Sequence, residues 1–222
     1  MADEADHPLT FLRRGILFII SAPSGAGKTT LSHQILDLVP DLRLSISYTT
    51  RAPRAGEVEG RDYHFISHDQ FLHLRVADAF AEWANVHGCL YGTVKASLTE
   101  ALAQGQDLLL DIDVQGARQI KANYTDAVSI FVLPPSWQEL EGRLRGRATE
   151  GEEVISRRLQ RAREEVNELF SYDYWLVNDR VDRAVAVLQG IILAERARVV
   201  RLTHAHAASL LASPTVQGRK TL

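Results

Sequence analysis

Gly25-Ala26-Gly27-Lys28-Thr29-Thr30 joins a short apolar run to a stretch with helical spacing. That combination suits the binding of a chain of phosphates. Backbone N–H groups in a tight loop wrap phosphate oxygens, and a helix N-terminus adds partial positive charge. Glycines let the main chain approach without a Cβ in the way. Lys28 has the reach for the β and γ phosphates, and Thr29 can offer a hydroxyl to Mg²⁺. Ser24, Ala26 and Thr30 complete the loop expected around a triphosphate donor. The usual spacing fails only at its first position, where Ala22 replaces Gly. A Gly-rich turn beside a surface lysine is the bland alternative, and the strand and helix patterns on either side argue against it.

Asp111 and Asp113 end a second apolar run, Leu108–Asp113. A buried charge needs a partner, and a metal ion or a substrate base could serve; a capping or turn aspartate is the alternative. Arg51 and Arg54 stand three apart around a proline. Arginine grips a phosphate monoester through parallel hydrogen bonds, and Ser47 and Tyr63 could complete such a shell with neutral donors. Taken alone, the two arginines read equally well as a solvated loop. Arg143 and Arg147 would share one side of a helix if that stretch is helical. Gly142, Gly146 and Gly151 give it freedom to move.

These residues need a frame. Ile16–Ile20, Leu108–Asp113, Val128–Leu133 and Tyr174–Val177 are apolar runs of strand length, suited to burial on both faces. Helical patterns separate them: from Thr29 to near Pro40, from Glu152 to Phe170, and from about Asp182 to Leu202. The alternation predicts an α/β fold in three layers with a parallel sheet core. Residues 47–96 and 137–158 break the rhythm and are expected as insertions above the carboxyl edge of the sheet, where such folds place their sites. Core segments would then be 14–46, 97–136 and 159–203. Residues 1–13 and 204–222 are expected as tails.

With 222 residues, 45% apolar and 24% charged, the chain has enough core for one ordinary domain. A formal net charge of −3 gives no sign of nucleic-acid binding through bulk positive charge. No apolar run approaches bilayer length, and the acidic N-terminus is unlike a secretory signal. The expectation is a cytoplasmic protein with no membrane partner. The single cysteine, Cys89, excludes an intrachain disulfide. His64, His68 and His73 lack the cysteine or acidic company of a zinc site. Trp83, Trp137 and Trp175 are expected to pack.

Several blocks together resemble the guanylate kinases: the loop Ser21–Leu31, the segment Ser47–Phe65, Phe80–Ala84 with Gly88–Thr93, and the strand Leu108–Ala117. The likeness continues through Pro134–Ser136, Arg143–Arg147 and Val177–Asp179, and covers about residues 14–202. It implies phosphoryl transfer from ATP to GMP with Mg²⁺, on a core carrying a GMP-binding region (47–96) and a lid (137–158). By matching position, Ser47, Arg51, Arg54, Tyr63 and Tyr91 would surround the GMP phosphate. Glu82, Thr93 and Asp113 would read guanine. Asp111 would lie near GMP and the phosphates, meeting Mg²⁺ through a water. Arg143, Arg147 and Arg158 would close on the transferring phosphoryl beside Lys28, and Asn178 would sit near the ATP adenine. GMP, with dGMP as a further candidate, and ATP are the partners implied; an amphipathic helix can face its own core or a second copy, which leaves the oligomeric state open.

The chemistry of guanine agrees with this. Its N1–H and 2-amino group are adjacent donors that a carboxylate can accept, whereas adenine would leave that carboxylate unpaired. Such a site can reject the wrong base by roughly 10⁴-fold or more. On its own, Glu82 reads as a solvent-facing helix glutamate. Two departures from the family pattern stand out: Ala148 where Gly is usual, and Cys89-Leu90 where Asn and an aromatic are common. A different monophosphate acceptor would require another set of readers than Glu82, Thr93 and Asp113. A peptide-binding scaffold domain would typically lack the intact phosphate loop.

Overall fold

The structure, a computed structural model, describes residues 14–86, 88–146 and 152–202. Arg147, Ala148, Gly151 and the whole of both expected tails, 1–13 and 204–222, lie outside the described residues.

The first strand, β1 (Leu17–Ser21), runs into the Gly-rich loop and then helix α1 (Lys28–Leu38). After a short edge strand, β2 (Leu42–Leu44), the chain leaves the core for β3 (Tyr48–Thr49), β4 (His64–Phe65), α2 (His68–Val76), β5 (Phe80–Val86) and β6 (Cys89–Val94). It returns through α3 (Lys95–Ala103), β7 (Asp107–Asp111), α4 (Val114–Asn123) and β8 (Val128–Leu133). The last elements are α5 (Trp137–Arg145), α6 (Glu152–Val166), β9 (Tyr174–Val177) and α7 (Val181–Arg196).

The main sheet is parallel, in the order β2-β7-β1-β8-β9. All five residues of β1 are buried because successive side chains enter two separate cores. Phe18 and Ile20 pack with Leu31 and Ile35 of α1 and Leu188 and Ile192 of α7. Leu17 and Ile19 pack on the other face with Leu98, Leu102 and Ile120. This is the three-layer arrangement expected from the continuous apolar runs. Register places Ile20 beside Asp111, so the acidic end of β7 arrives next to the loop leaving β1.

Three expectations need correction. The strand expected over Leu108–Asp113 ends at Asp111, because Asp113 caps α4 by accepting from the Gly116 amide at 3.0 Å. The helix expected to reach Phe170 stops at Val166 and tightens into a 3₁₀ turn, Asn167–Ser171, where the Ser171 hydroxyl donates to the Glu168 carbonyl. Phe170 is left exposed. The last helix ends at Arg196, and a short 3₁₀ turn at Val199–Arg201 swings Arg198 and Arg201 back onto the buried Glu195 carboxylate.

The excursion between β2 and α3 builds its own sheet, ordered β4-β3-β6-β5, with β3–β4 parallel and the other pairs antiparallel. Ser67 and Gln70 form a reciprocal capping box at the start of α2. Phe71 of that helix stacks on Phe80 at 4.4 Å, and Leu90 closes this small second core. The unusual Leu90 is thus a packing residue, and its main chain is also tied at both polar groups. Its N–H donates to Thr50 and its carbonyl accepts from Thr49.

Candidate active site

The two sheets face each other across a cavity of about 310 Å³. One wall is the loop after β1. Gly25 and Gly27 both sit at φ near +90°, a left-handed conformation that a side chain would strain. A Cβ on Gly27 would also lie 2.4 Å from the Asn178 amide nitrogen. Ser24, Lys28, Thr29 and Thr30 line the cavity, while Ala26 is fully buried behind them. Asn178 backs the loop, donating from its amide to the Ala26 carbonyl at 2.8 Å; it is buried and does not line the cavity. Arg143 holds the same segment from α5, with Nη2 donating to the Asn178 carbonyl at 3.2 Å.

Lys28 Nζ lies 2.6 Å from Asp111 Oδ1 and donates to the Ile112 carbonyl at 2.8 Å. Ser32 donates to the other Asp111 oxygen at 3.2 Å. This pairing holds the lysine at the cavity wall, where incoming phosphate oxygens can compete for it.

The facing wall carries Ser47, Arg54, Tyr63 and Tyr91. Burial pushes the Tyr63 phenol up to about 12, so it remains a neutral donor throughout the physiological range. Arg51 takes a different place from its expected neighbours. Its guanidinium makes a two-pronged pair with Glu57 at 2.8 and 3.0 Å and donates from Nε to the Tyr91 hydroxyl at 3.2 Å. It stands behind the lining residues and orders them.

At the base of this wall sits Glu82, 2% exposed and in a strand, not on the solvent-facing helix that its local sequence suggests. Thr93, on the paired strand β6, donates to Glu82 Oε1 at 2.6 Å. Thr93 is itself buried and reaches the cavity only through this carboxylate. Desolvation pushes the Glu82 carboxyl up to about 7; the Thr93 hydrogen bond opposes the shift, and the nearby Asp113 charge adds to it. Helix α4 makes room for the group: a Cβ on Gly116 would lie 2.5 Å from Glu82 Oε2.

Asp113 faces the cavity one turn before Gly116. Its Oδ2 accepts from Gln115 at 2.8 Å and from Arg161 at 3.4 Å. Arg161 and Glu165 of α6 line the cavity beside Arg158, and sequence reasoning had not singled out either. The signal was present as Arg158-x-x-Arg161-x-x-x-Glu165, which places all three on one helical face. Burial holds the Glu165 carboxyl above the usual range, against the pull of Arg161, whose Nε donates to it at 3.1 Å.

The Gly-rich loop therefore faces a wall of Ser47, Arg54, Tyr63 and Tyr91 that ends in the buried Glu82 beside Asp113. A family model described as guanylate kinase matches residues 14–195. The chain belongs to the guanylate kinase family. It is 59% identical over 190 residues to a guanylate kinase of Syntrophotalea carbinolica, covering 86% of this chain and 90% of that protein. It is 53% identical over 193 residues to one from Geobacter sulfurreducens, covering 87% and 95%. A crystal structure of guanylate kinase from Anaplasma phagocytophilum superposes with a TM-score of 0.76 at 32% identity, over 91% of this chain and 96% of that one.

Guanylate kinase activity moves the γ-phosphoryl of ATP to GMP, giving ADP and GDP, and uses Mg²⁺. The residues present fit that ion. Thr29 offers an exposed hydroxyl and Asp111 a carboxylate on the same stretch of cavity wall, and hard cations take oxygen ligands. Among the described residues there is no group of three or more His, Cys, Asp or Glu side chains arranged to hold a metal ion by themselves.

Proposed function

We propose that the cavity brings ATP and GMP together with their phosphates meeting between Lys28 and the Tyr63–Tyr91 wall. The observation that carries this reading is the position of Glu82. It is a buried acceptor held by Thr93 beside Asp113, across the cavity from Lys28 and Thr29. Residues 24–30 hold the donor phosphates through main-chain N–H groups and the start of α1, with Asn178 bracing the loop near the adenine. Ser47, Arg54, Tyr63 and Tyr91 hold the GMP phosphate, with Arg51 fixing Tyr91 from behind. Glu82 and Asp113 accept from N1–H and the 2-amino group of guanine.

A GMP phosphate oxygen attacks the γ-phosphorus in line. That oxygen is already anionic near neutral pH, since a phosphate monoester loses its second proton at about 6. No side chain has to act as a strong base. The protein's task is positioning and charge neutralisation. Lys28 draws electron density from the transferring group as its pairing with Asp111 gives way. Arg143 and Arg158, with Arg147 from outside the described residues, add positive charge as the 137–158 region closes over the phosphates. Mg²⁺, held by Thr29 and by Asp111 through water, would supply further neutralisation of phosphate charge.

This reading places the enzyme in the cytoplasm, working on dissolved nucleotides. No helix among the described residues is long and apolar enough to cross a membrane. Coupled ADP release measured with GMP, AMP and pyrimidine monophosphates tests the assignment. GMP should turn over and AMP should stay almost untouched. Equal rates with AMP would reject the guanine-reading role.

A further inference from the structure

Strand β5 lies at the edge of its sheet, so the outward N–H and C=O groups of its residues have no neighbouring strand. At Trp83 this edge is filled from the core. The Gln119 side chain accepts from the Trp83 N–H at 3.1 Å and donates to the Trp83 carbonyl at 2.7 Å. One amide thus copies the pairing that a residue of another strand would make. Trp83 directly follows Glu82, and Gln119 stands one turn beyond Gly116, against which the Glu82 carboxylate packs. The same helix begins at Asp113. Along one face of α4, then, lie a cavity carboxylate, the space that admits Glu82, and a clamp on the residue after it.

We propose that Gln119 is a positioning residue for guanine recognition: by gripping the main chain at Trp83 from α4, it fixes the spacing between Glu82 and Asp113. This rests on the assignment of Glu82 to the guanine edge. Ala81 of β5 also packs beside Ala117 and Ile120 of α4, but that contact is apolar and non-directional. Thr93 holds the Glu82 carboxylate, but it belongs to β6, which moves with β5 as part of one sheet. Gln119 joins that sheet to an element packed on the parallel core. Its amide donates at one end and accepts at the other, which an ionised carboxylate could not do.

The test is a double-mutant cycle read on both substrates. Gln119→Met keeps the length of the side chain and removes both hydrogen bonds. It should raise KM for GMP about tenfold while leaving KM for ATP within about twofold. In a chain already carrying Glu82→Gln, adding Gln119→Met should change KM for GMP by less than about twofold, since the group it positions is gone. An unchanged KM for GMP in Gln119→Met overturns the proposal. So does an increase that persists in full beside Glu82→Gln, or one matched by an equal rise for ATP. Should the methionine variant fold poorly, Gln119→Asn retains the amide but is too short to span both backbone groups, and the same outcomes apply. Glu82→Gln measured alone separates the two claims. If it leaves KM for GMP unchanged, the guanine assignment itself falls and the clamp with it; if it raises KM while Gln119→Met does not, only the clamp is lost.

Discussion

In the proposed arrangement the phosphate end is residues 24–30, one continuous stretch of loop and first helical turn that would act largely through its main chain. The proposed base end draws Glu82 from β5, Thr93 from β6, and Asp113 and Gly116 from the start of α4, and would act through three side chains and the space that Gly116 leaves. A continuous loop needs correct local backbone geometry, supplied here by two left-handed glycines. A scattered pocket needs two separate sheets to be held in register. The first should fail sharply when one residue changes; the second should fail by degrees, and in specificity before turnover.

The sharpest break belongs to the loop. Lys28→Ala should lower turnover by about 10²–10³-fold, as expected when a preorganised charge aimed at the reacting group is removed. The fold should persist, because Lys28 is part-exposed and its main partner, Asp111, keeps Ser32. Coupled ADP release together with a thermal melt separates loss of activity from loss of fold. Turnover close to the parent would show that the loop's main chain suffices without the lysine.

Glu82→Gln is the matching break at the base end. It replaces an acceptor by a group that presents a donor to guanine's donors. We expect kcat/KM for GMP to fall about 10²-fold with little change for AMP, so that discrimination narrows. A variant that kept its full preference for GMP would move base reading away from Glu82.

The contrast between the ends also explains how much was legible beforehand. The phosphate loop and its place between strand and helix could be read directly, because its residues are adjacent and its glycines are required by conformation. Four strands of the core could be read for a similar reason: each is a continuous apolar run. The edge strand β2 could not, since Leu42-Arg43-Leu44 is too short to show a period. Glu82 looked like a helix residue because Ala81, Trp83 and Ala84 carry no strand alternation; pairing with β6 and packing on α4 decided its state. Arg161 and Glu165 were hidden among the many charges of α6, most of which face solvent. Only their spacing from Arg158 marks the face that turns inward.

A titration sharpens the comparison further. Glu82 takes up a proton as pH falls through about 7 and then loses one acceptor. KM for GMP should therefore rise toward acid, by up to about tenfold per pH unit below that point. KM for ATP should not share this component. Glu82→Gln should abolish it, leaving only the phosphate titration near about 6. Folding shows the opposite sign. The folded chain keeps the Glu82 proton up to about 7, whereas an unfolded glutamate releases it near 4.5. The folded state holds more protons between those values, so this carboxyl's contribution to stability declines as pH rises through that window. Melts of parent and Glu82→Gln should diverge over the same range, with the variant gaining.

Gly116→Ala should produce a smaller change. The new Cβ would sit 2.5 Å from Glu82 Oε2 and displace the carboxylate. Helix propensity favours alanine by up to about 1 kcal/mol, which offsets part of the local strain in stability. KM for GMP should rise roughly fivefold with folding largely intact, since that shift costs about as much as one weakened hydrogen bond. An unchanged KM would mean that the carboxylate has other room to occupy.

The mildest expected effect is at Arg161, which links α6 to Asp113. Its 3.4 Å contact with Asp113 is long, and its side chain is 30% exposed, so solvent screens much of the attraction. Asp113 also keeps its cap to Gly116 and its bond from Gln115 when the arginine is gone. Arg161→Met should therefore weaken kcat/KM for GMP by only about threefold. It leaves Glu165 buried without its ion pair, and that carboxyl should then hold its proton to still higher pH. The loss of stability should be smallest in acid, where Glu165 is neutral in both chains. A loss of GMP affinity as large as that in Gly116→Ala would mean that α6, and not the α4 cap, sets the position of Asp113. The base end would then depend on three helices and strands held in register with a fourth, instead of on β5, β6 and α4 alone.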